Sequence, residues 1–151
     1  MASKCYRSLV IIPLMAEKKH EKQNPARVII PLGSPNRPEP HELDVAYVLA
    51  QHFKTVVEFI VPLEDYKRKS ADILMNGVEW EIKSPRGNGK STISNQLKNA
   101  SKQSGSIVLD SRLTKMKYDE IEKRVRFSIQ GKSAIKRVIL INKLGKVVEI
   151  R

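Results

Sequence analysis

Two acids and a lysine flank one tight turn. In ADILMNGVEWEIKSPRG, residues 71–87, Asp72 precedes a short apolar run, and Glu81 and Lys83 follow the pair Asn76-Gly77. Asn-Gly between two strand-like runs specifies a two-residue hairpin turn, because both turn positions need positive φ. Met75 then opposes Val78, Ile73 opposes Trp80, and Asp72 opposes Glu81. A symmetric four-residue loop keeps this register, whereas an odd-length loop or a bulge breaks it. Alternation puts Met75, Ile73, Val78, Trp80 and Ile82 on one apolar face, and Asp72, Leu74, Glu79, Glu81 and Lys83 on the other. Opposed residues have Cβ atoms roughly 5 Å apart, and like charges there destabilise a sheet. A divalent cation resolves that conflict: one or two carboxylates plus waters and phosphates suffice for magnesium. The Ile82 carbonyl can add an oxygen. Lys83 is placed to neutralise part of the charge, or to touch a scissile phosphate and an attacking water. Such an ion makes hydroxide available near neutral pH and stabilises in-line displacement at phosphorus. The plainer alternative is a solvated Glu-x-Lys ladder with an Asp at a strand start.

The elements that would hold this hairpin are legible on both sides of it. Leu43, Ala46, Tyr47, Ala50 and Phe53 recur at helical spacing, which predicts an amphipathic helix over 41–54. Glu42 and Asp44 fall in its first turn, where the helix dipole favours negative charge. VVEFIVP, residues 56–62, is β-branched and short enough for a buried strand. After the hairpin come the loop SPRGNGK, a helix over 92–104 with Ile93, Leu97 and Ala100 inward, and an apolar strand SIVLD over 106–110. A third helix is predicted over 115–129, with Tyr118, Ile121, Val125 and Ile129 on one stripe; RVILINKLGKVVEI then reads as two strands about a tight turn. Upstream, RVIIPLG is a strand that Pro31 confines to an edge or an end. SLVIIPL, residues 8–14, reads as a strand or packed arm, residues 15–27 as a polar loop or short helix, and GSPNRPEP as irregular. The order predicts an α/β sandwich around a mixed sheet in a single domain of 151 residues.

Composition narrows the partners. Lys plus Arg number 28 against 16 Asp plus Glu, a formal charge of +12. A surplus that large on a small chain favours a polyanion, through steering and counterion release. Aromatics are 5%, which argues against a stacking platform for single strands. The sequence has no apolar run long enough to span a bilayer and no secretory cleavage site after residues 8–14. Cys5 is the only cysteine, so neither an internal disulfide nor a thiolate zinc site can form. His20, His41 and His52 have no metal-ligand spacing.

Asp72 followed by Glu81-Ile82-Lys83 on the next strand resembles the PD-(D/E)XK nuclease superfamily, and the predicted element order matches its αβββαβ core, a restriction-endonuclease-like mixed sheet flanked by helices. Ala71 stands where a proline often precedes the acid. Over about residues 41–112, and most specifically in WEIKSP, the helix after it and IVLD, the chain is similar to the C-terminal tRNA-nuclease domain of bacterial contact-dependent growth inhibition toxins. That resemblance implies a metal-dependent nuclease cutting tRNA in the cytoplasm of a competing bacterium. It also implies delivery within a larger secreted protein and a cognate immunity protein in the producer. This chain would then be an excised domain or a free-standing relative. On the same ground Glu42, as the acid of the first helix, would join Asp72 and Glu81 around magnesium, manganese or zinc.

Around this centre, Arg86 and Lys90 are candidates to clamp phosphates from the loop after Lys83, as loops on rigid scaffolds often do. Gln96 and Gln103 can reach nucleic acid or the Lys83 region, although a solvent face is the simpler account of their stripe. Ser84 can hydrogen-bond near the site, or serve only as a turn residue before Pro85. Three functions fit these residues: an RNA phosphodiesterase, the same chemistry on DNA, and a nucleic-acid-binding module without catalysis.

Overall fold

The computed structural model describes residues 26–34, 37–62 and 70–151. The readings of residues 8–14 and 15–25, Cys5, and His20 lie outside these. Seven strands form one sheet in sequence order. They are β1 (Arg27–Ile29), β2 (Val56–Phe59), β3 (Ile73–Met75), β4 (Val78–Lys83), β5 (Ser106–Asp110), β6 (Arg137–Ile141) and β7 (Val147–Glu149). Three helices intervene: α1 (Pro40–Phe53), α2 (Thr92–Ala100) and α3 (Tyr118–Ile129). β4, β5 and β6 run parallel, as do β1 and β2, and the β2–β3, β3–β4 and β6–β7 pairs are antiparallel. This is the mixed α/β architecture expected, with the order αβββαβ running from α1 to β5.

The hairpin has the register its turn dictates. Ile73 pairs with Trp80 and Met75 with Val78, about Asn76 and Gly77 at φ of +52° and +73°. Both values lie in the left-handed region that a two-residue hairpin turn requires. The Thr55 hydroxyl ties the turn to the start of β2, reaching the Asn76 side-chain oxygen at 2.6 Å.

The parallel crossovers leave a helix layer on each side of the sheet. α1 supplies Val45, Ala46, Leu49 and Ala50 to a core with Ile73, Met75, Trp80, Ile82, Val108 and Ile139. On the opposite face α2 and α3 enclose Ile107, Leu109, Val138 and Leu140. β5 is buried at all five positions, as a central parallel strand covered on both sides should be. β2 instead alternates, with Glu58 exposed between Val57 and Phe59.

Three helix readings are corrected. Tyr47 is exposed, because the inward stripe of α1 runs through Val45, Ala46, Leu49 and Ala50, which leaves Tyr47 off its flank. α2 ends at Ala100 rather than at residue 104: the chain tightens there, with Gln103 and Ser104 both donating backbone N–H to the Ala100 carbonyl. α3 begins at Tyr118 rather than 115, and Tyr118 is exposed while Met116, before the helix, enters the core in its place.

Candidate active site

Strand register explains why the acids of the hairpin are unusual. Glu81 pairs with Ile107, which pairs with Val138; Lys83 pairs with Leu109, which pairs with Leu140. On β4, therefore, an acid and a lysine occupy two rows that the neighbouring strands fill with core aliphatics. Glu81 is 2% exposed. An ionised carboxylate in that position is expensive without partners.

It has partners on one side only. Glu81 Oε1 accepts from Lys83 Nζ at 2.5 Å and from Gln103 Nε2 at 2.7 Å. Oε2 is buried and finds no donor among the described residues. The early end of α2 is what brings Gln103 here: the turn after Ala100 folds the chain back over β4, with the Ser104 hydroxyl on the Glu79 carbonyl at 2.8 Å.

Asp72 approaches from the other strand. Its backbone leaves the ladder, donating N–H to Trp80 and giving its carbonyl to Ile60 N–H on the side of β2. The Ile82 N–H is taken instead by the Asp72 carboxylate, at 2.7 Å. This contact carries the Asp72 side chain to Glu81, so the two acids lie together as the strand alternation predicts. As two anions they repel, and they can bond to one another only when one holds a proton. Burial pushes the Glu81 carboxyl up to about 7; the Lys83 hydrogen bond opposes that rise and the Asp72 charge adds to it. Asp72 is raised as well, first by burial, against the Ile82 N–H bond and with the Glu42 charge adding to it.

Glu42 stands close enough for its charge to act on Asp72, and both line a cleft of about 200 Å³ with Arg37. Its carboxylate, however, accepts the Glu39 backbone N–H at 2.9 Å and so caps α1. Among the described residues, no three His, Cys, Asp or Glu side chains are arranged to hold a metal ion by themselves. The donor set still suits a hard cation. Glu81 Oε2 is an acceptor without a donor, a second carboxylate adjoins it, and phosphate or water can complete such a shell.

The remaining candidates are dispersed. Arg86 and Lys90 are exposed on the loop after β4, Gln96 is half-buried on α2, and the Ser84 hydroxyl is buried with no partner among the described residues. One feature near the site is absent from the sequence reading. Arg112 binds both oxygens of buried Asp110 at 2.9 Å and reaches Asp44 on α1 at 2.5 Å, fastening that helix to the end of β5. The spacing D-x-R just after an apolar strand was its only signal.

Fold and site together define a mixed α/β domain whose central hairpin sets a buried carboxylate and a half-buried one beside a lysine. The chain belongs to the contact-dependent growth inhibition CdiA C-terminal domain family, whose model matches residues 69–147, from just before Asp72 into β7. The match thus begins beyond α1 and Glu42. No curated protein matches the chain. Among solved structures, it is similar to the CdiA-CT/CdiI toxin and immunity complex from Burkholderia pseudomallei, with a TM-score of 0.59 and 21% identity over 83% of this chain and 98% of that one. At that identity the likeness is one of fold.

Proposed function

We propose that this chain is the toxin domain of a contact-dependent growth inhibition system and acts as a metal-dependent endonuclease on RNA, with tRNA the favoured substrate. The observation that carries the reading is the Asp72–Glu81 pair: Glu81 is buried in a core row with Oε1 on Lys83 and Oε2 without a described donor, and half-buried Asp72 adjoins it. Family membership and the net charge of +12 point the same way.

In this reading Asp72 and Glu81 hold a magnesium, manganese or zinc ion, and the Glu42 charge adds to their field. When bound, the ion activates water and neutralises charge developing on the phosphoryl oxygens. Gln103 fixes Oε1 of Glu81 and so leaves Oε2 for the ion. Lys83 holds positive charge beside the scissile phosphate, where it stabilises the transition state more than the ground state. Water would attack phosphorus and release a proton to solvent as the P–O bond to the leaving strand breaks, and the leaving oxygen would take a proton up.

The chain would reach the cytoplasm of a target bacterium as part of a larger secreted protein, and a cognate immunity protein would block it in the producer. The immunity complex of the Burkholderia structure supports that partner. No helix of the described residues is long and apolar enough to cross a membrane.

The test is incubation of purified protein with total tRNA and, separately, supercoiled plasmid, with each of the three metals and with chelator. Cleaved tRNA and intact plasmid in metal, with nothing cut in chelator, is the expected pattern. Nicked plasmid with intact tRNA moves the same chemistry to DNA. Salt-sensitive binding with no cleavage of either nucleic acid, in any metal and with immunity protein absent, leaves a binding module and refutes catalysis.

A further inference from the structure

The basic residues are not spread evenly, and one cleft collects them away from the carboxylates. It is a depression of about 760 Å³ between the loop after β4 and helix α3, walled by Lys90, Lys123, Arg124, Phe127 and Lys132. No carboxylate lines it. Lys90, Lys123 and Lys132 make no side-chain ion pair among the described residues, whereas Arg126, which points elsewhere on α3, is matched by Glu122 at 2.8 Å. Arg124 is shared between Glu120 at 3.5 Å and the Lys90 carbonyl at 3.1 Å, and the latter bond fixes the end of the loop on α3.

Phe127 is the second observation. It is 76% exposed. The inward stripe of α3 is Ile121, Val125 and Ile129, so the core gives Phe127 no role. An aromatic ring standing in water among unpaired cations suits a ligand with both negative charge and a flat apolar face. Nucleic acid with unstacked bases has both: phosphates bind the cations, and a base lies on the ring. A regular duplex offers the phosphates but hides its base faces.

We infer that this cleft binds an unpaired stretch of the RNA substrate, its phosphates on Lys90, Lys123 and Lys132 and one base stacked on Phe127. The inference rests on the nuclease reading and names where the substrate lies. Lys90 is seven residues beyond Lys83, so the connecting chain spans no more than about 25 Å. A strand held in the cleft therefore has only a few nucleotides to reach the carboxylates. The low aromatic content, which by itself argues against stacking, misleads because one exposed ring in the right place is enough for one base.

The test separates binding from cleavage. Anisotropy with a labelled single-stranded RNA, and with a duplex of equal length, is measured on Glu81→Gln protein in chelator, so that nothing is cut. Phe127→Ala in that background should weaken single-strand binding by about 5- to 150-fold, leave duplex binding unchanged, and be rescued by Phe127→Trp. Lys123→Gln with Lys132→Gln should reduce the slope of log K against log salt by about 1.4 for the single strand. Both changes are on exposed or half-buried positions, and an unchanged thermal midpoint confirms folding. Parental RNA affinity in both variants overturns the inference. So does loss of immunity-protein binding with RNA binding intact, which would make the cleft a protein interface. Cleavage of tRNA by the parent chain is scored independently, so failure of the nuclease reading is visible as such.

Discussion

Two neighbouring parallel strands each bury a carboxylate, and the protein treats them oppositely. Asp110 ends β5 with both oxygens on the Arg112 guanidinium and a further bond from the Arg112 N–H. Glu81 lies in the middle of β4 with one oxygen bonded twice and the other bonded by nothing described, beside another acid. The first is a completed structural joint, extended by Asp44 to hold α1. The second is under-satisfied in a way that weakens the fold. Buried polar groups without partners are rare enough that each needs a reason, and the proposed cation would supply one here. Burial alone does not distinguish these two acids; the count of unmet acceptors does.

If that contrast is right, removing a partner from the completed joint should be the most damaging change to stability. Arg112→Ala strands Asp110 in the core and should cost about 3–5 kcal/mol in urea unfolding. A variant of parental stability would break the comparison.

The largest loss of activity belongs to the incomplete site. Lys83→Ala and Glu81→Gln should each lower metal-dependent cleavage by about 10²–10³-fold while remaining folded. Glu81→Gln has a second, opposite signature. The fold raises the Glu81 pKa from 4.5 to about 7, so between those values the folded chain holds more protons than the unfolded one. Stability of the metal-free protein therefore falls as pH rises through that window and stays lowered above it. Urea unfolding at pH 8 should find Glu81→Gln more stable than the parent by about 1–3 kcal/mol, with the gain vanishing at pH 4.5. Added magnesium or manganese should close the gap by stabilising the parent alone.

Gln103 sharpens the comparison from outside the acid pair. Gln103→Leu removes a donor to the charged form of Glu81, which should cost about 1–2 kcal/mol above pH 7 and move the pH midpoint of cleavage upward. The smallest effect is expected from Glu42→Gln. The amide oxygen can still cap the Glu39 N–H, so stability should change by under about 0.5 kcal/mol. Loss of its charge lowers the Asp72 pKa and should reduce magnesium affinity only a few-fold. A loss comparable to that of Lys83→Ala would instead make Glu42 a direct ligand.

The sequence by itself determined the hairpin and everything that follows from two-residue alternation. Asn76-Gly77 needs left-handed backbone at both positions, and that local demand fixes which residues oppose which. The acid pair, the apolar face of Ile73, Met75, Trp80 and Ile82, and the order of helices and strands were legible for the same reason. Only the tertiary structure decided how Glu81 differs from Asp110. Whether an oxygen is satisfied depends on folded contacts, such as Gln103 after a helix that ends early, or Arg112, which Asp44 of α1 holds in place beside Asp110. The exposure of Tyr47 and Tyr118 was decided there too, since periodicity proposes a stripe but only packing chooses which flank of it meets the sheet.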